Sequence, residues 1–214
     1  MANRRSPSIS LRKSPQQARS EGLVATILEA AVQVLAKEGA PRFTCARVAE
    51  KAGVSVGSLY QYFPNKAAIL FRLQSDEWRQ TSELLRSILE NVEKPPLERL
   101  RTLVRAFIQS ECDEAKMRIA LNDAVPLYRD APEAQEVRAS GSRTVEVFMR
   151  EVLPEASDSV RASVGDLIKR TLSSVGKDFS ETPRTSAEIK SYADAMADMF
   201  CAYLTTLQND KARA

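Results

Sequence analysis

The sequence predicts an all-α chain of about nine helices, with a small N-terminal head of three helices joined to a larger helical-bundle body. Three observations carry this. Only 7 of 214 residues are glycine, in a chain rich in the helix formers Ala, Leu, Arg and Glu. Apolar residues return at helical spacing, three or four positions apart, rather than alternating as in a strand. Prolines 64, 95, 96, 126, 132 and 154 fall between the periodic stretches, where a residue without an N–H ends or opens a helix.

In chain order, residues 1–19 carry Arg4, Arg5, Arg12, Lys13 and Arg19 among serines and prolines without apolar periodicity, and read as a disordered basic arm. Leu23, Val24, Ile27, Leu28, Ala31, Val34 and Leu35 mark an amphipathic first helix that Gly39 ends. Thr44 is suited to cap a short second helix, whose Val48, Ala49 and Ala52 form one apolar face. Gly53 supplies a left-handed turn, Ser55 caps a third helix, and Pro64 stops it after Phe63. Residues 20–66 are thus expected to form the head.

Asn65 opens a long fourth helix with Ile69, Leu70, Leu73, Trp78, Leu84, Leu85, Ile88 and Leu89 at helical spacing, reaching towards Pro95-Pro96. Such a rigid helix can transmit a shift in the body to the head, which a glycine-rich linker could not. Leu97 to Ile108 mark a fifth helix and Met117 to Val125 a short sixth, stopped by Pro126; a seventh is expected to open at Pro132 and close at Pro154. Val160 to Val175 form an eighth, ended by Gly176. Thr185-Ser-Ala-Glu188 is a capping box opening a ninth, which runs through Leu207. Residues 67–210 are the expected body.

The two short helices around Gly53 have the form of a helix-turn-helix, whose second helix enters the DNA major groove. Leu59 and Phe63 can point inward. Val56, Gly57, Ser58, Tyr60, Gln61 and Tyr62 then lie on the front or flanks: small residues let the helix N-terminus sit deep, Gln61 and Ser58 can face bases, and the tyrosine hydroxyls can reach phosphates. Ser55, Thr44, Arg42 and Lys66 are placed near the DNA backbone, Lys66 at a helix N-terminus that favours an anion. The ordered set Thr44-x3-Val48-Ala49-x2-Ala52-Gly53-Val54-Ser55-x-Gly57-x-Leu59-Tyr60-x-Tyr62-Phe63-x2-Lys66-x3-Leu70 closely resembles the DNA-binding signature of TetR/AcrR-type transcriptional regulators, over residues 22–70. Arg47 departs from the family's usual acidic or polar residue. It forfeits a capping box and adds a cation near the DNA backbone.

Charge agrees with this division. Residues 1–66 hold ten Lys or Arg against four Glu, a net +6, and the remainder holds 21 against 24, a net −3. The basic arm is either a solvated tail or a segment that follows the DNA backbone or enters the minor groove. The absence of histidine excludes His-dependent triads and His-ligated zinc, and the dispersed Cys45, Cys112 and Cys201 suggest neither a metal knuckle nor a disulfide framework. No catalytic residue, metal site or cofactor is expected. No apolar run approaches the ~18 residues of a membrane span, and no apolar segment follows the basic N-terminus, so a cytoplasmic protein without a membrane partner is expected.

The expected partners are an operator in double-stranded DNA, a second copy of the chain and a small-molecule effector. A homodimer follows from the few base contacts one helix-turn-helix can make, and the broad face of Val164, Ile168, Tyr192, Met196, Phe200, Tyr203 and Leu207 is its expected interface. The resemblance implies an effector pocket in the body. Trp78, Phe107, Met117 and Phe148 would supply apolar walls and Cys112, Asn122, Asp123 and Tyr128 polar contacts, which suits an apolar or aromatic molecule. Two other classes remain: a helical enzyme or carrier with a vestigial helix-turn-helix, and a nucleoid protein that binds DNA without sequence preference. The resemblance favours a ligand-responsive regulator, with repression its expected sense.

Overall fold

Thr44, Ser55, Asn65 and Thr185 each accept a backbone N–H three residues ahead, at 3.3, 3.0, 2.9 and 3.3 Å, and so open four of the helices. The computed structural model describes residues 9, 10, 12, 18–128 and 142–211. Among these it has nine α-helices and no strand: α1 Ala18–Arg42, α2 Cys45–Lys51, α3 Val56–Tyr62, α4 Lys66–Leu89, α5 Pro96–Asp113, α6 Ala115–Ala124, α7 Ser142–Val152, α8 Asp158–Ser180 and α9 Ser186–Lys211. One 3₁₀ turn, Val125–Leu127, follows α6. The all-α reading is borne out, and Gly39 breaks α1 as expected, with φ +72°.

Two compact units divide the chain. The first contains residues up to 79 together with those from 116 to the end of the 3₁₀ turn, and the second contains 80–115 and 142–211. In the first, Ile27, Leu35, Phe43, Val48, Leu59, Phe63, Ile69 and Leu70 share one core with Leu121, Ala124 and Tyr128. Each such side chain contributes roughly 1.5–3 kcal/mol when fully buried. α6 is held to α4 by polar groups as well. The Tyr128 hydroxyl lies 3.3 Å from the Leu121 carbonyl and 3.4 Å from Gln74 Oε1, Gln74 donates to Glu77 at 2.8 Å, and Glu77 pairs with Arg118 at 3.0 Å. The Tyr128 ring is tilted against Phe71 at 5.5 Å.

In the second unit, α5 packs against α7, α8 and α9 through Leu103, Val104, Phe107 and Ile108. Arg99, 2% exposed, donates to the Leu89 carbonyl and to Glu151, and its guanidinium lies 5.6 Å from the centre of the Phe148 ring. Two boundaries differ from expectation, and a third lies outside the described residues. α4 stops at Leu89, and a turn of residues 90–95 precedes Pro96. α8 passes through Gly176 to Ser180, because that glycine is a packing residue and not a stop: a Cβ there would lie 3.0 Å from Ile108 Cδ1 and 3.2 Å from Phe107. α7 is described from Ser142; the expected start at Pro132 lies outside the described residues.

Most of the expected dimer face is not on the surface of the second unit. Val164, Ile168, Met196 and Phe200 are buried in the second unit's own core, Leu207 is half-buried, and Tyr192 stacks on Phe179 at 4.0 Å. Tyr203, 39% exposed, does face out, and so do two residues not anticipated, Leu167 at 51% and Met199 at 52%. Met199 and Tyr203, four apart, share one face of α9.

Candidate nucleic-acid interface

α2 and α3 are short because each is bounded by its own chemistry. The Thr44 cap starts α2, and Gly53 at φ +67° turns the chain after Ala52. The Ser55 hydroxyl accepts from the Ser58 N–H at 3.0 Å, while Phe63, with extended backbone before Pro64, ends α3. Inward residues Cys45, Val48 and Ala49 of α2 and Leu59 of α3 are buried with Phe63. This orients the other side of α3 by elimination. Ser55, Val56, Gly57, Tyr60 and Gln61 are exposed, and Ser58 and Lys66 are half-buried at its edges.

Two members of the sequence-predicted set are placed differently. Tyr62, expected at the front or flank, is 6% exposed and belongs to the head's core, since it follows Leu59 by three and shares its face. Arg47 is not a cation directed solely outward. Its Nη1 pairs with Glu38 and donates to the Arg42 carbonyl at 3.0 Å, so it ties α2 to the end of α1. Arg42 and Thr44 are exposed beside it.

The Tyr60 hydroxyl is hydrogen-bonded to the buried Cys45 thiol. Burial pushes the Cys45 thiol up, and the Tyr60 phenol is pushed up by the Cys45 sulfur, first through its charge and then through the hydrogen bond. Cys112 is also raised, by burial and then by Asp113 and Glu111. Among the described residues no cluster of three potential metal ligands occurs, and no helix is long and apolar enough to cross a membrane.

Part of the basic arm, expected to be disordered, is ordered against the head. Ile9, 3% exposed, lies in the head's core, and the Arg12 N–H donates to the Tyr62 carbonyl at 2.9 Å. Ile9 is thus packed, and Arg12 is hydrogen-bonded to the head while remaining exposed; residues 1–8, 11 and 13–17 lie outside the described residues. A signal was present, since Ile9 is one of few large apolar residues before α1.

The expected effector residues are divided. Trp78, Met117 and Tyr128 belong to the first unit and Phe107, Cys112 and Phe148 to the second; the Asn122 side chain lies outside the described residues. A groove of about 290 Å³ lies between α7 and α8, floored by Val145, Met149, Ala162 and Gly165, and one of about 280 Å³ lies between α1 and α6, beside Leu35 and Ile119. Of the expected effector residues Asp123 lines the groove between α1 and α6, and none lines the groove between α7 and α8.

Residues 27–73 match the family model of bacterial regulatory proteins, tetR family, and residues 95–207 match that of the tetracyclin repressor-like C-terminal domain. Among curated proteins, the chain is 36% identical over 83 residues to the nucleoid occlusion factor SlmA of Vibrio campbellii, covering 38% of this chain and 42% of that protein. It is 30% identical over 125 residues to the HTH-type transcriptional repressor KstR of Rhodococcus jostii, covering 58% and 57%. The chain thus spans roughly two- to three-fifths of these relatives' length. Among solved structures, the fatty acid degradation regulator FadR from Bacillus halodurans superposes with a TM-score of 0.60 at 19% identity, over 89% of this chain and 96% of that one. NalD of Pseudomonas aeruginosa, the secondary repressor of the MexAB-OprM multidrug efflux pump, gives 0.58 at 19%, over 89% and 98%. These likenesses establish the shared fold. With the head and most of the body each matched along its own stretch, the chain belongs to the TetR family, whose members are transcriptional regulators and not enzymes.

Proposed function

We propose that the protein is a ligand-responsive, sequence-specific repressor that binds a palindromic operator as a homodimer and leaves it when a small apolar or aromatic molecule binds. Residues 20–66 serve as the DNA-binding domain and 67–210 as the effector and dimerisation domain. The observation that carries the reading is the outward row Ser55, Val56, Gly57, Tyr60 and Gln61 on a helix whose opposite side is buried. Small side chains at a helix N-terminus admit it to the major groove, and the Gln61 amide suits an adenine edge, with Ser58 beside it. Arg42, Thr44 and Lys66 surround that row and, with Tyr60 at its flank, serve as phosphate contacts.

The outward Leu167, Met199 and Tyr203 support a dimer, because large apolar groups in water favour association. The effector class is supported by relatives named for apolar metabolites: the fatty acid metabolism regulator of Bacillus subtilis, 39% identical over 57 residues, and the Dietzia repressor AlkX, implicated in n-alkane biodegradation. An effector that prefers the non-binding conformation by about 1–3 kcal/mol changes operator affinity about 5–150-fold.

The test is a band shift on the chain's own upstream region against random DNA at two salt concentrations. Preferential retardation of the upstream region supports the reading. Equal binding to both would indicate a nucleoid protein, and no binding to either would return the chain to the carrier class.

A further inference from the structure

α3 ends with an acceptor problem. Its last carbonyls have no helical N–H partner, and the residue four beyond Tyr60 is Pro64, which has no N–H to offer. Arg12 meets two of these carbonyls. Its main-chain N–H donates to Tyr62 at 2.9 Å, and its Nη1 donates to Tyr60 at 3.4 Å. The C-terminal end of a helix is also where a cation is favoured. Ile9, buried in the head's core, anchors the segment from the other side.

The position matters because α3 brings no charge of its own. From Ser55 to Asn65 there is no Lys or Arg, and Arg47 is paired with Glu38. Arg12 is exposed, and among the described residues no carboxylate pairs with it. The carbonyl bond occupies one guanidinium N–H and leaves others directed to solvent.

We propose that Arg12 is a further DNA-contacting residue, docked on the C-terminal end of α3 and presenting its guanidinium to a backbone phosphate beside Tyr60. The inference rests on α3 being the DNA-reading helix and adds a contact from outside the helix-turn-helix. Arg12 therefore has two roles, closing the end of α3 and neutralising a phosphate. The second carries no sequence information.

The experiment is titration of the full chain and its Arg12→Gln and Arg12→Ala variants with a random-sequence duplex over a series of sodium chloride concentrations, alongside thermal unfolding. Glutamine removes the charge while keeping a polar side chain, and the Arg12 main-chain N–H to the Tyr62 carbonyl is retained in both variants. Both variants are expected to reduce the slope of log affinity against log salt by about one unit per bound head, with Arg12→Gln unfolding close to the wild-type temperature. A wild-type slope in a folded Arg12→Gln variant overturns the phosphate contact and leaves the role of α3 intact. A wild-type chain that binds no DNA overturns both.

Discussion

Glu77 and Arg118 form an ion pair of 3.0 Å with 12% and 15% of their side chains exposed, and it joins α4 to α6. Removing one partner leaves the other charge in a partly dry site. Glu77→Ala is expected to lower the unfolding free energy by about 2–4 kcal/mol, whereas Glu77→Leu combined with Arg118→Met recovers most of it. Urea unfolding of the three proteins checks this; equal losses for the single and double variants would show that the loss does not come from the stranded charge.

Much of the head could be read in advance because its determinants are local. Thr44, Gly53, Ser55 and Asn65 act on neighbours within a few residues, so residue type and spacing suffice to place them. The Glu77–Arg118 pair could not be read, since nothing in the sequence tells α6 to share a core with the first half of α4. The docking of Arg12 on α3 escaped for the same reason: its partners, the carbonyls of Tyr60 and Tyr62, are distant in sequence and carry no side-chain signature. On α9 an apolar helix with two partly apolar sides gives a periodicity that cannot say which faces inward, which is how Phe200 was expected on the surface and Met199 was not.

Two glycines inside helices are expected to respond oppositely to alanine. Nothing lies within 4 Å of a Cβ at Gly22 in α1, so Gly22→Ala should stabilise by about 0.5–1 kcal/mol through helix propensity. At Gly176 the added carbon meets Ile108 and Phe107, and Gly176→Ala should destabilise by about 1–3 kcal/mol. Thermal unfolding distinguishes the signs, and stabilisation by both would contradict the packing at α8.

The capping box of α9 gives a pH dependence. Glu188 is held below its ordinary carboxylate range, first by the Thr185 N–H and then by the Thr185 hydroxyl. Because the folded-state pKa is the lower one, the contribution is present above the unfolded-state pKa and is lost as pH falls through the folded value. The gap in melting temperature between wild type and Glu188→Ala should therefore be open at neutral pH and narrow in acid. A gap that widened in acid would have the wrong sign.

For the dimer, Leu167→Glu combined with Met199→Glu places charges on the outward apolar residues. Sedimentation should show wild type as a dimer and this variant as a folded monomer. Phe200→Ala, in the core, should instead cost about 3–5 kcal/mol of stability while leaving the folded fraction dimeric. A double variant that remained dimeric would move the interface elsewhere.

Whether α3 reads sequence is decided most directly by in vitro selection of genomic fragments, run in parallel with wild type, Lys66→Ala and Gln61→Ala. Wild type should enrich an inverted repeat with half-sites about one helical turn or slightly more apart. Lys66→Ala should recover the same motif more weakly, and Gln61→Ala should lose preference at one symmetric pair of positions, worth roughly 1–3 kcal/mol. An unenriched wild-type pool, or an unchanged motif from Gln61→Ala, would contradict base reading by α3.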